Sequence, residues 1–126
     1  MLRLTFLGTG TSQGVPMIGC DCEVCRSADL RDHRLRSAAM IEGEGTRVVI
    51  DAGPDFRYQM LRAGVKDIDA ILLTHQHTDH MIGLDDVRAF NYFCSKSIEV
   101  YATEAVQGAV RRVFDYAFAE KPYPGA

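Results

Sequence analysis

Short apolar runs alternate with stretches of helical periodicity along this chain, and the pattern predicts strands interleaved with helices. The clearest strand signals are apolar or β-branched runs that Gly, Pro or Asp residues bound. Two of these runs flank Gly43-Glu44-Gly45, which supplies the turn chemistry of a β-hairpin. Strands are predicted over residues 2–7, 38–41, 48–50, 66–74 and 97–102.

Three further stretches carry apolar residues at helical spacing, and they cover residues 55–63, 83–90 and 103–118. Asp55 is the expected N-cap of the first helix and Gly64 its stop signal. Thr103 is the expected N-cap of the last helix, whose apolar stripe we interpret as core. Strands that alternate with helices predict an α/β fold, or α+β by some schemes.

The stretch with the most chemical information directly follows the fourth predicted strand. Residues 74–80 run Thr-His-Gln-His-Thr-Asp-His and hold three of the four histidines of the chain. If the chain stays extended, the period of two puts His75 and His77 on the same side, where both imidazoles reach one ion. Asp79 and His80 follow at an expected turn or helix start, and they begin a second metal position.

The types of donor atom limit which metals can bind and indicate whether the bound metal is structural or catalytic. Imidazole suits zinc, iron or nickel, and an added carboxylate widens the choice towards manganese. Two histidines and one aspartate do not close a tetrahedral structural zinc site, so the open positions indicate catalysis. Asp51 ends a predicted strand, and we expect it to orient a metal-ligand histidine without being a ligand itself.

A second cluster consists of the cysteines Cys20, Cys22 and Cys25. In a reducing compartment, thiols at this spacing are better interpreted as zinc ligands than as a disulfide framework. Three thiolates need a fourth ligand, for which His33 is the local candidate, and the sequence leaves that ligand open. Cys94 lies among aromatic residues and is interpreted as a small buried hydrophobe. We therefore expect a structural zinc on the three clustered thiolates.

Charge and hydropathy bear on partners and location. The formal net charge of −3 argues against a general nucleic-acid footprint. The chain also contains a local basic run formed by Arg26, Arg31, Arg34 and Arg36. We interpret this run as a solvated face, with contact to a phosphate group as the alternative. No apolar stretch approaches the roughly 20 residues that span a bilayer, and the first residues lack a signal-peptide core, so a cytoplasmic protein is expected.

Four segments of the sequence resemble one enzyme family. The T-H-x-H-x-D-H motif at residues 74–80 resembles the signature of the metallo-β-lactamase-fold hydrolases, and residues 6–16 resemble the first strand and loop of their phosphodiesterase branch. Ile50-Asp51-Ala52-Gly53 resembles the early Asp-x-Gly element of the family. The cysteine cluster is similar to the extra zinc site of the phosphoribosyl cyclic phosphodiesterases. The resemblance covers the whole chain but matches only the N-terminal half of such an enzyme.

The resemblance implies a fold. Residues 1–126 would form the N-terminal part of a metallo-β-lactamase αββα sandwich, a mixed sheet with helices on one face. A Cys-rich zinc-binding insertion would occupy about residues 19–36. Because the second half of the sandwich has no counterpart here, the chain is expected to be truncated, with one apolar sheet face exposed. Such a face favours a homodimer or a domain-swapped association.

The resemblance also implies a reaction. His75 and His77 would hold one divalent ion, and Asp79 and His80 a second one; the ions would be zinc or manganese, and Asp79 would also be a catalytic residue. A metal-bound hydroxide would attack the phosphorus of a small phosphodiester substrate. The family supplies further ligands later in the chain, but no histidine follows His80 here. This chain alone is therefore expected to bind metal weakly and to have little catalytic power.

Several functions remain open at this point. The favoured one is a metal-dependent phosphodiesterase. The alternatives are a redox or biosynthetic relative similar to the pyrroloquinoline-quinone pathway protein, and a zinc-stabilised module without turnover. A tRNA-processing nuclease is weaker, because residues 53–57 depart from its usual Gly-Glu-Gly-Thr-Gln segment and the cysteine insertion is foreign to it.

Overall fold

A five-stranded sheet forms the framework of the protein. The structure is a computed structural model that describes residues 1–121. The strands are β1 Arg3–Gly8, β2 Ala38–Gly43, β3 Thr46–Ile50, β4 Ala70–Leu72 and β5 Glu99–Tyr101. They lie in sequence order, with β1, β2 and β3 antiparallel and β4 parallel to both β3 and β5. The mixed sheet is confirmed, and the carboxyl ends of β1, β3, β4 and β5 meet at one edge.

Three short helices lie between the parallel strands, and a fourth follows β5. They are α1 Phe56–Arg62, α2 Thr78–Met81, α3 Arg88–Cys94 and α4 Glu104–Val113. Turns of 3₁₀-helix occupy Leu30–Asp32, Ile82–Val87 and Asp115–Ala117. Across residues 1–121, no helix combines the length and the apolar character that a membrane span requires.

One face of the sheet carries the hydrophobic core. The pairing register places Met40, Val49 and Ile71 in one row across β2, β3 and β4, and all three side chains are buried. They share a buried cluster with Phe56 of α1 and Phe90 of α3, whose rings meet edge to face at 6.3 Å. Burial of these side chains is the main source of stability.

The opposite face of the sheet is apolar and open to solvent. Leu4 and Phe6 point to this side and are 54% and 69% exposed. Phe6 pairs with Ala39, and Leu72 lies in the same cross-strand row. The homodimer or domain-swapped association expected from such a face stays a prediction, which sedimentation equilibrium tests.

The fourth strand is shorter than the periodicity predicts. Residues 66–74 were expected to be extended throughout, but pairing is confined to β4. Thr74 leaves the ladder because its N–H donates to the Asp51 carboxylate at 2.8 Å. The strand therefore ends where the metal motif begins.

The helix predicted over residues 83–90 is a 3₁₀ segment followed by the start of α3, and the separate short helix α2 precedes it. Gly83 interrupts the helical hydrogen bonding after α2, because its N–H donates to the Ala52 carbonyl at 2.8 Å instead of to the carbonyl one turn earlier. A Cβ on Gly83 would lie 2.0 Å from the Gly53 carbonyl oxygen. Contact with another segment therefore outweighs local helix propensity here.

The predicted helix caps occupy the expected positions but act differently. Neither Asp55 nor Thr103 makes a side-chain cap hydrogen bond. The Asp55 carboxylate instead accepts the Arg36 backbone N–H at 2.8 Å and pairs with the Arg36 guanidinium. The last helix also ends at Val113, earlier than predicted, because Phe114 turns into the core.

Candidate metal centres

Parallel pairing of β3 and β4 brings two loops together at the sheet edge. Ile50 and Leu72 are register partners, so the residues that follow them leave the sheet side by side. The Asp51 N–H donates to the Leu72 carbonyl, and the Ala52 N–H donates to the His80 carbonyl, both at 2.8 Å. The loop after β3 is thus bonded to the end of β4 and to the last residue of the histidine stretch.

Asp51 is the polar centre of this edge. It is only 5% exposed, and its φ of 64° is a left-handed conformation that Asp tolerates better than most residues. One carboxylate oxygen accepts the Thr74 N–H at 2.8 Å. The other accepts the Thr74 hydroxyl and pairs with His80 Nδ1, both at 2.7 Å. Both oxygens are thus engaged in positioning neighbours, which fits the orienting role expected for Asp51.

The hydrogen-bond network assigns the tautomers of two histidines. The single hydroxyl proton of Thr74 is donated to Asp51, so the Thr74 oxygen accepts from His75 Nδ1 at 2.9 Å. His80 Nδ1 likewise donates to Asp51. Both rings are thus held through Nδ1, and Nε2 is the nitrogen that faces away from Thr74 and Asp51; in His80 it lies beside the Asp79 carboxylate.

The other two predicted ligands lie beside these rings. The centroid of the His75 ring is 4.7 Å from that of the His77 ring and 4.0 Å from that of the His80 ring. Asp79 places one carboxylate oxygen 3.1 Å from His80 Nε2. His77 thus lies beside His75, and Asp79 lies beside His80, but neither His77 nor Asp79 belongs to the group of ligand atoms that lie within 4.8 Å of one another. These four residues, His75, His77, Asp79 and His80, are called the histidine cluster below.

The donors of this histidine cluster are compatible with a divalent ion. Ligand atoms of His75 and His80 lie within 4.8 Å of each other and of the Asp51 carboxylate, which the hydrogen bonds described above assign to orienting the His80 ring. Two ligands at about 2.0–2.2 Å from one tetrahedral ion stand roughly 3.3 Å apart. The 3.1 Å between Asp79 Oδ2 and His80 Nε2 is close to that separation.

Sequence reasoning did not assign a role to Thr74 or Gly53. Thr74 belongs to the motif, but its two bonds to Asp51 span 23 residues of sequence. A Cβ on Gly53 would lie 2.0 Å from the Asp79 carbonyl oxygen, so only glycine fits there. The Asp51-Ala52-Gly53 segment was the one sequence feature that could have pointed to this close backbone contact of Gly53.

The cysteine cluster is built differently. The sulfur atoms of Cys20, Cys22 and Cys25 lie within 4.8 Å of one another, and the thiols are free. Tetrahedral zinc with bonds of about 2.3 Å places its sulfur ligands roughly 3.8 Å apart, so three thiolates fit one zinc ion. The Cys25 N–H donates to Cys22 Sγ at 3.4 Å and lowers the pKa of the Cys22 thiol.

The remaining candidates lie apart from this cluster. Among residues 1–121, no imidazole or carboxylate joins the three thiols within the same distance, so His33 is not brought to them. Cys94 packs against the core and its Sγ donates to the Lys66 carbonyl at 3.4 Å. Burial raises the pKa of the Cys94 thiol. Its predicted role as a small hydrophobe agrees with this setting.

Known proteins share both the sequence and the fold. Residues 46–125 match the beta-lactamase superfamily domain. A solved diphosphatase from the PhnP family is 46% identical, with a TM-score of 0.87 over 98% of this chain and 50% of that one. Octanoyltransferase of Porphyromonas gingivalis is 46% identical over 98% of this chain and 25% of that protein. Coenzyme PQQ synthesis protein B of Methylorubrum extorquens is 32% identical over 94% of this chain and 44% of that protein.

A mixed sheet whose strand ends gather histidines and aspartates is the framework of a class of metal-dependent hydrolases. The chain belongs to the metallo-β-lactamase superfamily. The family and the N-terminal half of its fold, both implied by the resemblance of the motifs, are confirmed. The chain spans half or less of the length of these relatives.

Proposed function

We propose that this chain carries the first half of the active site of a metal-dependent phosphodiesterase that acts on small phosphodiesters. The observation that carries the proposal is the pair of imidazoles, His75 and His80, that Thr74 and Asp51 hold through Nδ1, so that Nε2 is the nitrogen available to a metal ion. The 46% identity to a diphosphatase supports a phosphoryl substrate. The activity is proposed for the protein at the length of its relatives.

Each residue of the histidine cluster receives a role. His75 and His77 would hold one ion, and Asp79 and His80 the other, with zinc or manganese as the ion. The chemistry that a bound divalent ion supplies is Lewis acidity and a water whose pKa falls from 15.7 to about 7. The Asp79 side chain is 21% exposed, so it can also accept a hydrogen bond from an incoming water. Asp51 positions His80.

Hydrolysis of bis(p-nitrophenyl) phosphate tests this proposal. The full-length protein loaded with zinc or manganese is expected to release p-nitrophenolate. Replacing His77 by Ala should lower both the bound metal and the rate by about tenfold or more. Gln76→Ala is the matched control, because Gln76 is an exposed neighbour in the same turn. Metal-loaded protein that cleaves no phosphodiester would contradict the proposal.

The likeness to Coenzyme PQQ synthesis protein B supports a second candidate in redox or biosynthetic chemistry. Iron in the histidine cluster together with oxygen consumption would favour it over hydrolysis. Zinc confined to the cysteine cluster, with neither reaction, would instead indicate a zinc-stabilised module without turnover. Elemental analysis alongside both assays separates the three outcomes.

A further inference from the structure

The cysteine cluster has a second chemistry open to it besides zinc binding. The sulfur atoms of Cys20, Cys22 and Cys25 lie within 4.8 Å of one another, and the thiols are free. Cys22 is exposed and the other two are half-buried, so small reagents in solution can reach the cluster. Thiols that are close together and accessible are those that can be joined by a disulfide.

Cys22 and Cys25 are the pair best placed for such a bond. Two residues separate them, as in the Cys-x-x-Cys motif of thiol oxidoreductases. The Arg26 N–H donates to the Cys22 carbonyl at 3.0 Å, so the two cysteines share one helix-like turn. The Cys25 N–H also donates to Cys22 Sγ at 3.4 Å, which holds that sulfur over its partner. Side chains three residues apart in such a turn have Cβ atoms about 5–6 Å apart, so a shift of about 1–2 Å brings them to disulfide distance.

The other thiols of the chain are less suitable partners. The Cys20 N–H donates to the Met17 carbonyl at 3.1 Å, so Cys20 belongs to the preceding turn. A disulfide from Cys20 would have to join two turns, whereas one between Cys22 and Cys25 closes within a single turn. Cys94 packs against the core, and its Sγ donates to the Lys66 carbonyl at 3.4 Å.

The segment that carries the cluster is fastened at its base. Val15 and Arg34 exchange two backbone hydrogen bonds, at 2.8 and 2.9 Å. The Gly10 N–H donates to the Leu35 carbonyl at 2.7 Å just outside this pair. Within residues 1–121, the buried core takes no side chain from between Val15 and Arg34. A covalent change in the cluster can therefore be made and reversed while the core stays folded.

We propose that Cys22 and Cys25 form a reversible disulfide, and that this disulfide and a zinc ion in the cysteine cluster exclude each other. The co-reactant is a low-molecular-weight disulfide such as oxidised glutathione. One cysteine thiolate attacks a sulfur of the co-reactant, which forms a mixed disulfide and releases one thiol. The second cysteine thiolate then attacks the mixed disulfide, closes the intrachain S–S bond and releases the other thiol. Two cysteine sulfurs are oxidised, two sulfurs of the co-reactant are reduced, and the two protons pass to the released thiols.

The exclusion follows from the small number of ligands. Tetrahedral zinc needs four ligands, and the disulfide removes two of the three thiolates that the cluster offers. In the opposite direction, thiolates that coordinate zinc are withheld from attack on the co-reactant. The redox state of the surroundings would thus decide whether the segment is held by zinc or by its own disulfide. This inference concerns the cysteine cluster alone and does not rest on the proposed function.

Oxidation of the intact, chelator-treated chain by oxidised glutathione tests the proposal, with peptide mass spectrometry to locate the bond. The protein should lose two hydrogen atoms, with Cys22 joined to Cys25, and dithiothreitol should restore the thiols. After oxidation the protein should retain about one zinc ion fewer per chain than the reduced protein. Saturating zinc should slow formation of the bond by about tenfold or more. Cys94→Ser is the matched control and should react as wild type does.

Two further variants separate the disulfide from the zinc site. Cys20→Ser should still form the bond although it lacks a zinc ligand, and Cys25→Ser should stop at the mixed disulfide on Cys22. Circular dichroism verifies that each variant is folded. Absence of an intrachain bond in wild type, or a bond to Cys94, would overturn the proposal. Formation of an intrachain bond at the wild-type rate in Cys25→Ser would overturn the assigned pair. Equal zinc content before and after oxidation, or equal rates with and without zinc, would overturn the exclusion.

Discussion

The two metal clusters of this protein are built in opposite ways. The histidine cluster stands on a buried carboxylate, Asp51, which makes three hydrogen bonds to Thr74 and His80 between 2.7 and 2.8 Å. The cysteine cluster lies in an exposed segment without regular strands, where backbone N–H groups approach Cys22 and Cys25 at 3.4 Å. The ligands of the histidine cluster are thus held by contacts with distant parts of the fold, whereas those of the cysteine cluster are held mainly by hydrogen bonds within their own segment.

This difference predicts how each cluster responds to change. Ligands oriented by neighbouring groups keep their geometry without a metal, so damage to the supporting groups should reach the ion. Ligands on an exposed segment gain their fixed geometry from the ion itself. Altering the support should therefore harm the histidine cluster, and removing zinc should loosen the cysteine cluster.

Gly53→Ala should have the largest effect, because it forces the loop after β3 away from the histidine turn. The added Cβ would lie 2.0 Å from the Asp79 backbone oxygen, a contact that no side-chain rotation relieves. We expect the free energy of unfolding to fall by about 3 kcal/mol. Urea unfolding followed by circular dichroism measures it.

Gly108→Ala is the matched control for an added methyl group. Gly108 lies inside α4, and the nearest atom to its Cβ position is a flexible Arg112 nitrogen at 3.5 Å. This substitution should raise stability by about 0.5–1 kcal/mol, because Ala favours a helix over Gly. An equal free energy of unfolding for the two variants would show that the loop after β3 can shift to accommodate the methyl group without loss of stability, which would contradict the prediction.

Cys20→Ser should have the next largest effect, and only on the cysteine cluster. Removing one of three thiolates should abolish binding of about one zinc ion per chain. The core packs without these residues, so the main unfolding transition should change little. Elemental analysis and urea unfolding report the two quantities. A large loss of global stability would mean that the cysteine segment supports the core, and the contrast between the clusters would fail.

Asp51→Asn should affect the histidine cluster and leave the cysteine cluster intact, the opposite of Cys20→Ser. The amide keeps the shape of the side chain but cannot accept all three hydrogen bonds, so the His80 ring loses its fixed tautomer. Affinity for zinc at the histidine cluster should fall by about 10–100-fold, while the cysteine cluster keeps its zinc. Competition with a chromophoric chelator measures both. Asp69→Asn, at an exposed position, serves as the control. Unchanged affinity would rule out the orienting role of Asp51.

Local patterns were sufficient to predict the positions of the strands and the hairpin, and they supplied the two ligand sets that stay predictions. The hairpin follows from a Gly-rich turn between two apolar runs, and ladder pairing of β2 with β3 confirms it. The ligand sets follow from spacing within a few residues. Both kinds of signal are short in sequence, so one chain suffices to detect them.

Contacts between distant segments decided what the sequence did not reveal. The separation of α2 from the 3₁₀ segment depends on the approach of Gly83 to Gly53, thirty positions earlier. The bonds of Thr74 to Asp51 depend on parallel strand pairing. Local propensity carries no information about either of these contacts. A cavity lined by Arg34 and Arg62 likewise forms only when α1 packs beside the segment after β1.

The smallest expected effect concerns the thiols of the metal-free protein. Cys22 is exposed and its pKa is lowered by the Cys25 N–H, whereas burial raises the pKa of Cys94. At mildly alkaline pH, Cys22 therefore carries the larger thiolate fraction, and the thiolate is the reactive form. Iodoacetamide should modify Cys22 several-fold faster than Cys94, as mass spectrometry of peptides would show. Zinc should protect Cys22 and leave the rate at Cys94 unchanged. Equal protection of both thiols would mean that zinc acts on the whole fold, and the cysteine cluster would then be as dependent on the core as the histidine cluster is.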